Sequence, residues 1–168
     1  ELQALWRKRA VAARFYTPLG AAEGRIRYHV LREEAGYTEA CLPKKARYDV
    51  RRGLEYCEVR PAGPAVLATD GWKLRAETLA RQHRTGAETE AWWQALCGSA
   101  EGLPGIEGWA AYHDRSMVAS VLGIQVDDCF CILYHQSLTE HMEHGINNAL
   151  AFVVTRELLC RPGIRSVF

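Results

Sequence analysis

The segment from Gly108 to Phe168 constrains the fold more than any other part of this sequence. It contains three short stretches rich in apolar and β-forming residues, GWAAYH, MVASVLGIQV and CFCILYHQS, separated by the turn-like sequences HDRS and DD. This spacing predicts an antiparallel meander. A helix at about 147–160, a CRPG stop and the strand IRSVF follow. The order strand, loop, helix, strand is a βαβ crossover, which makes its two strands parallel. The sequence therefore predicts a mixed α/β sheet (α+β in content) in which a meander leads into one parallel crossover.

The residues before the meander alternate between predicted helices and short strands. IRYHVLR (26–32) alternates apolar and polar positions, which predicts a strand, and CEVRP (57–61) predicts a second one that proline ends. Three segments are predicted to be helical: KKARYDVRRGLEYC after Pro43, residues 64–84 and residues 88–100. The last of these is expected to turn Trp92, Leu96 and Cys97 toward the core. The first twenty residues fit a short helix or an extended segment equally well.

Length and composition are those of one globular domain. The chain has 168 residues, 48% of them hydrophobic and 24% charged, with a net charge of +1. This charge creates no overall field that would require a nucleic acid or an anionic membrane as partner. No apolar run approaches the roughly 18 residues of a membrane-spanning helix. Because the chain ends within a predicted strand, we expect a fragment whose site is completed beyond Phe168.

Six cysteines are scattered through the chain, which is large enough to fold without disulfides. They are Cys41, Cys57, Cys97, Cys129, Cys131 and Cys160. We therefore expect reduced, mostly buried thiols and a cytoplasmic location.

Several segments resemble a known superfamily. KKARYDVRRGLEYCEVR, TLARQHR, GWAAYHDRSMVASVLGIQVDDCFCILYHQSLTE and NNALAFVVTREL, in this element order, resemble the GNAT acyltransferases and within them the Fem-like branch, which includes the peptidoglycan-bridge aminoacyltransferases. The resemblance covers roughly residues 44–168. It implies one GNAT-like domain over 1–168, with 1–43 as a loosely matching extension. It also implies transfer of an acyl or aminoacyl group to an amine, with acyl-CoA or an aminoacyl-tRNA as co-substrate and no permanently bound cofactor.

In such a fold the donor's pyrophosphate would lie on the unpaired N–H groups at the start of the crossover helix. That position corresponds here to Gly145, Ile146, Asn147 and Asn148. The usual Q/R-x-x-G-x-G/A pattern is absent from the preceding loop, and Glu140 and Glu143 would repel a diphosphate. Asparagine is among the best N-cap residues, so helix capping is favoured over ligand contact for Asn147 and Asn148, although a cap needs only one of them.

The strand CFCILYHQS and the loop after it carry the candidate acid and base groups. Amine acylation needs a base for the ammonium proton and an acid for the leaving group, and His135, Tyr134 and Glu140 are the candidates. A structural role is the alternative for a single histidine at a strand end. Strict alternation predicts two faces of the strand: Cys129, Cys131, Leu133 and His135 on one, and Phe130, Ile132, Tyr134 and Gln136 on the other.

A zinc site is the alternative interpretation of one cluster, formed by Cys129 and Cys131 with His135, His141 and His144. A C-x-C pair in a strand would separate its ligands by about 7 Å, and a second suitable cysteine pair is absent from the sequence. We therefore predict no metal, and interpret the two cysteines as small hydrophobic residues.

Two basic segments are candidate substrate-binding surfaces. Arg47, Arg51 and Arg52 lie on the first predicted helix, where Arg51 and Glu55 are spaced for an internal ion pair, and Arg81, Gln82 and Arg84 lie on the second. A solvated helix face is the simpler interpretation. A phosphate-rich donor such as tRNA or CoA is the functional one. The alternative function is therefore a non-catalytic GNAT-like module that binds tRNA or a nucleotide. Oligomeric state and the acceptor amine cannot be read from the sequence.

Overall fold

The computed structural model describes residues 31–33, 36–84, 86 and 88–168. The first twenty residues lie outside this range, as does most of the strand predicted at 26–32. Of that strand only Leu31 and Arg32 are described, and Arg32 forms an antiparallel bridge with Val167. In chain order the helices and strands are α1 (Lys44–Tyr56), β1 (Glu58–Pro61), α2 (Pro64–Asp70), α3 (Trp72–Arg81), α4 (Glu90–Ala100), β2 (Ile106–His113), β3 (Ser116–Val126), β4 (Cys129–Ser137), α5 (Ile146–Leu159) and β5 (Ser166–Val167). Two 3-10 helices, Glu39–Cys41 and Thr139–His144, complete the order.

The five strands form one mixed sheet in the order β1-β2-β3-β4-β5. Neighbouring strands are antiparallel from β1 to β4, whereas β5 lies parallel to β4 after the α5 crossover. Residues with positive φ close both hairpins, among them Asp114 and Asp127, which fits the preference of aspartate for this conformation. The predicted meander and parallel crossover are confirmed.

The sheet separates two hydrophobic cores. On one face α1 and α5 cover Val121 and Phe130, with Leu150 fully buried between helix and sheet. On the other face α2, α3 and α4 pack Leu67 and Trp93 against the meander. Each fully buried side chain of this size contributes about 1.5–3 kcal/mol through removal from water, so both layers hold the sheet rigidly.

The helix predicted over 64–84 is two helices, α2 and α3, which meet at Gly71. The Leu67 carbonyl accepts the Gly71 N–H at 3.0 Å and also the Trp93 indole N–H at 2.8 Å. The break falls at Gly71, and a glycine inside a helix is less favourable than alanine by about 1 kcal/mol. The prediction of one continuous helix was therefore wrong at this residue.

Helix α4 turns Trp93 to the core and leaves Trp92 outside. Trp93 is 0% exposed and Trp92 is 43% exposed. Thr89 caps the helix by accepting the Trp92 N–H at 3.2 Å. The buried stripe of the helix runs through Trp93, Cys97 and Ala100. The prediction was correct for Cys97, correct in part for Leu96, which is half-buried against this core, and wrong for Trp92.

The cysteines are less buried than expected. All six are free thiols, but only Cys57 and Cys97 are buried, while Cys41 and Cys160 are exposed. Burial raises the pKa of Cys57 and of Cys97 to about 11, so these two remain protonated and unreactive. No helix in the described ranges has the length and apolar character needed to cross a bilayer.

Candidate active site

Strand β4 contains a β-bulge at Leu133. In the pairing with β3, Gly123 lies opposite Ile132 and Leu122 lies opposite Tyr134, so Leu133 is an extra residue on β4. One extra residue moves every later side chain to the opposite face. Phe130 and Ile132 accordingly pack toward α5, whereas Tyr134 packs toward α2, α3 and α4.

The bulge overturns the two predicted faces of this strand. His135 lies opposite Val121, which belongs to the α5 side, and so shares that face with Phe130 and Ile132. Tyr134 is on the other face from Phe130 and Ile132. Strict alternation therefore fails after Ile132, although it holds before the bulge.

Beyond Ile132 no strand among the described residues pairs with the outer edge of β4, and the edge is next bonded at Ser137, whose N–H donates to Thr78 Oγ1 at 3.2 Å. Strand β5 pairs with Cys129 and Phe130, and the last hydrogen bond between the two strands runs from the Ile132 N–H to the Phe168 carbonyl at 2.7 Å. An extended ligand with amide groups can add to such an edge as an extra strand. The bulge and the open edge coincide at Leu133.

A cleft of about 430 Å³ borders this edge. Its lining residues are Arg75, Gln82, Arg84, Glu88, Leu133, Tyr134 and His135. The structure thus brings together four sequence-predicted residues, His135, Tyr134, Gln82 and Arg84, which come from β4 and the end of α3. Three lining residues were missed: Leu133 because it reads as a buried strand position, and the pair Arg75 and Glu88 because 13 residues separate them.

His135 is a titratable side chain of the cleft whose pKa is lowered. Its side chain reaches solvent in the cleft but is densely surrounded by protein. Burial lowers the pKa of the imidazole, and a weaker hydrogen-bonding effect of Asn147 opposes that shift. The ring is therefore neutral at pH 7, which is the state that can accept a proton from an amine.

Tyr134 lies beside His135 in the cleft, with its ring held between Trp93 and Arg75. Its ring meets the edge of Trp93 at a centroid distance of 5.4 Å and an angle of 82°, and the Arg75 guanidinium lies 4.9 Å from its centroid. Burial raises the pKa of the Tyr134 phenol, and the Glu88 carboxylate adds to that shift. The phenol therefore carries its proton at neutral pH.

A buried ion pair forms the floor of the cleft. Arg75 donates to Glu88 through Nε, 2.7 Å from Oε2, and through a second contact from Nη2 to Oε1. The two side chains are only 7% and 11% exposed. A bidentate pair of this kind fixes both side chains and, through the guanidinium, the ring of Tyr134.

A polar network anchors the junction between β4 and α5. Ser137 Oγ accepts from Arg81 Nη2 at 3.3 Å and from Asn147 Nδ2 at 3.2 Å. Arg81 also donates to the Ser137 carbonyl at 3.3 Å and to Thr139 Oγ1 at 2.9 Å. Arg81, predicted to bind substrate, thus lies outside the cleft lining and holds the junction in place.

The start of α5 differs from the predicted cap. Gly145, with φ 80°, occupies the N-cap position, and no side chain caps the helix. The capping prediction for Asn147 and Asn148 was wrong because a left-handed glycine makes the turn instead. Asn147 turns to Ser137, and Asn148 is exposed.

Helix α1 packs directly on this turn. A Cβ on Gly145 would lie 2.3 Å from the Asp49 carbonyl oxygen, and one on Gly53 would lie 2.5 Å from the Gly145 carbonyl oxygen. Ile146 is fully buried in the core. The predicted donor contacts of Gly145, Ile146, Asn147 and Asn148 stay a prediction.

Glu140 does not line the cleft. It is exposed on the 3-10 helix Thr139–His144, and its carboxylate lies 3.6 Å from His141 Nε2. His141 and His144 in turn contact Tyr56: the Tyr56 hydroxyl lies 2.8 Å from His141 Nδ1, and the His144 ring stacks on Tyr56 at 4.0 Å. The catalytic role of Glu140 stays a prediction, without support from its position.

The two strand cysteines are closer than the sequence indicated. Cys129 Sγ and Cys131 Sγ are 4.0 Å apart, rather than about 7 Å. Within the described ranges, no group of three histidine, cysteine or acidic residues is arranged to hold a metal ion.

The basic helix uses most of its arginines for its own structure. Arg47 donates to the carbonyls of Glu39 and Leu42, both at 3.0 Å. Arg51 pairs with the Glu39 carboxylate at 2.6 Å, not with Glu55 as predicted, because the chain before α1 folds back on the helix. Arg52 forms no ion pair among the residues that the structure describes, so it is the arginine of this group that remains available to a ligand.

No family model and no curated protein sequence matches this chain. Several solved structures, however, are similar to it. An aminoglycoside acetyltransferase from an uncultured soil metagenomic sample, in complex with sisomicin, is 12% identical with a TM-score of 0.55, over 68% of this chain and 76% of that one. A second aminoglycoside acetyltransferase from such a sample is 16% identical with a TM-score of 0.50, over 67% and 77%.

A third likeness is to the C-terminal domain of a putative lysylphosphatidylglycerol synthetase from Agrobacterium fabrum. It is 11% identical with a TM-score of 0.54, and it covers 80% of this chain but only 42% of that one. Together with the element order, these likenesses show that the chain has the GNAT fold.

Proposed function

We propose that this chain is a GNAT-fold N-acyltransferase that moves an acyl or aminoacyl group from an activated donor to an amine. The observation that carries the proposal is the bulged, open edge of β4 beside a cleft that presents His135 and Tyr134 together. The two residues leave opposite faces of the sheet, and both border the cleft because it lies at the strand edge. The Fem-like resemblance supports the aminoacyl form of the same reaction.

The chemistry follows from the protonation states of the two side chains. The amine nitrogen attacks the acyl carbon, and neutral His135 takes the amine proton as the new C–N bond forms. The bond from the acyl carbon to the thioester sulfur, or to the ester oxygen of an aminoacyl-tRNA, then breaks. Tyr134 supplies the proton that the leaving sulfur or oxygen needs. The donor's amide groups can pair with the open edge of β4, which would align its acyl carbon with these residues.

Replacement of His135 by glutamine is expected to lower kcat by about 10²–10⁴-fold, because a positioned base contributes this much. In the wild type, kcat/KM should rise with pH through the pKa of His135. That pKa lies below the ordinary 6.5, so the rate should be level at neutral pH. His113→Gln is the matched control, since His113 lies outside the cleft lining. A loss caused by Glu140→Gln and not by His135→Gln would contradict the assignment.

The donor is tested by binding. With acetyl-CoA, the melting temperature is expected to rise, since a ligand bound to the native state stabilises it. An unchanged melting temperature at millimolar acetyl-CoA would exclude acetyl-CoA as the donor.

The aminoacyl-tRNA form of the reaction instead predicts tRNA binding that weakens steeply with salt and is reduced by Arg52→Ala. Arg51→Ala is the control, because Arg51 is paired with Glu39. Binding of either donor without transfer to any amine would favour the non-catalytic module.

A further inference from the structure

The side-chain amide of Asn147 has no role in the acyl transfer proposed for His135 and Tyr134. Its Nδ2 donates to Ser137 Oγ, which is itself held by Arg81. Its Oδ1 is buried and has no hydrogen bond of standard geometry. An unpaired buried carbonyl oxygen costs about 1–3 kcal/mol, so an arrangement that leaves it unpaired requires a reason.

The register of the sheet places His135 on the same face as Ser137, the hydrogen-bond partner of Asn147. Val121 lies opposite His135 and Ala119 lies opposite Ser137, and both belong to the face that α5 covers. Side chains two residues apart on one face of a strand are neighbours, so an amide that reaches Ser137 from the first turn of α5 is directed toward the neighbourhood of His135. Hydrogen bonding to Asn147 also opposes the lowering of the His135 pKa by burial. Catalytic hydrogen bonds in ligand-free enzymes are often long or bent, which fits an Oδ1 without a partner.

We propose that Asn147 is a positioning residue for His135: its Oδ1 accepts the ring N–H on the side of α5, so that the other ring nitrogen offers its lone pair to the cleft. In the structure the amide is directed with Nδ2 toward Ser137 Oγ. With Nδ2 committed to Ser137, the oxygen is the group left to face the imidazole, and an acceptor selects the tautomer that carries a hydrogen on that side. Arg81 and Ser137 thereby set the orientation of His135 through Asn147. The effect of this pairing on catalysis rests on the proposed function, whereas the pairing itself does not.

The test is an NMR titration that requires no activity. In long-range ¹H–¹⁵N spectra, wild-type His135 is expected to show one dominant tautomer, protonated on the nitrogen nearer Asn147. Asn147→Leu should leave both tautomers populated. Asn147→Asp should raise the pKa of His135 above 6.5, because an adjacent carboxylate favours the imidazolium.

Two controls isolate the contact. Asn148→Asp adds the same charge one residue along, on an exposed side chain, and should shift the pKa much less. Ser137→Ala releases Nδ2 and should also mix the tautomers. The charged and titratable groups that line the cleft with His135, namely Arg75, Arg84, Glu88 and Tyr134, are unchanged in all four variants.

An unchanged tautomer ratio in Asn147→Leu would overturn the proposal. So would the opposite tautomer in the wild type, which would mean that the amide is rotated and donates to the ring. If Asn147→Asp fails to fold, the leucine variant decides alone. Should the tautomer respond as expected while no donor supports transfer, the pairing of Asn147 and His135 stands and the proposed acyl transfer fails. Where transfer is observed, the rising limb of the pH–rate profile should move to higher pH in Asn147→Asp.

Discussion

Alanine in place of Gly145 is expected to destabilise the protein by about 2–6 kcal/mol, the sum of two costs of about 1–3 kcal/mol each. The first is backbone strain, because Gly145 has φ 80°. The second is overpacking, because the added Cβ would lie 2.3 Å from the Asp49 carbonyl oxygen. That oxygen belongs to the backbone of α1 and cannot rotate away, so the two helices would have to separate. Urea denaturation monitored by circular dichroism measures the change.

Two other glycines separate the contributions. Gly163 has φ 88° but nothing within 4 Å of an added Cβ, so Gly163→Ala should show the strain alone. Gly98 lies in α4 with open space around it and an ordinary φ, so Gly98→Ala should stabilise the protein by about 0.5–1 kcal/mol through helix propensity. A cost at Gly145 equal to that at Gly163 would mean that α1 does not press on the turn.

The second large loss of stability is expected when one partner is removed from the ion pair between Arg75 and Glu88. Arg75→Met should cost about 3–5 kcal/mol, because it leaves the Glu88 carboxylate, 11% exposed, without its counter-ion. The ring of Tyr134 also loses the guanidinium 4.9 Å away. Guanidinium chloride unfolding followed by tryptophan fluorescence can report the change, since Trp93 packs against Tyr134.

The double variant Arg75→Met, Glu88→Leu is the matched control. Replacement of both charges by apolar groups is often neutral or stabilising, because neither charge must then be desolvated. We expect it to recover most of the stability lost in Arg75→Met. A double variant as unstable as the single one would show that packing at this site, rather than an unpaired charge, accounts for the loss.

Local patterns predicted the elements well and the side-chain directions less well. The meander, the crossover and α1 follow from apolar spacing and turn residues over a few positions. The bulge at Leu133 does not, because it depends on how β3 and β4 align, and it reversed the face assigned to Tyr134. The fit of α4 against Leu67 likewise decided that Trp93, rather than Trp92, is buried.

In the candidate site, too, the sequence predicted suitable residues but not the contacts between them. The sequence supplied His135, Tyr134, Gln82 and Arg84 as chemically suitable groups, and the fold gathers them in one cleft. It did not indicate that Arg81 would anchor Ser137, or that Asn147 would turn away from the helix end toward β4. Hydrogen bonds of this kind join residues 10 to 56 positions apart, and their geometry is a property of the packed layers.

The open edge of β4 has a consequence for how the molecule behaves at high concentration. A strand edge that can accept a ligand's amides is equally a template for the same edge of a second copy, which is how sheets grow into aggregates. Leu133, 55% exposed, lies on that edge and adds an apolar contact. The bulge beside the cleft interrupts the regular spacing of N–H and C=O groups, which makes continuous pairing between two copies harder. The irregularity thus protects this edge against self-association.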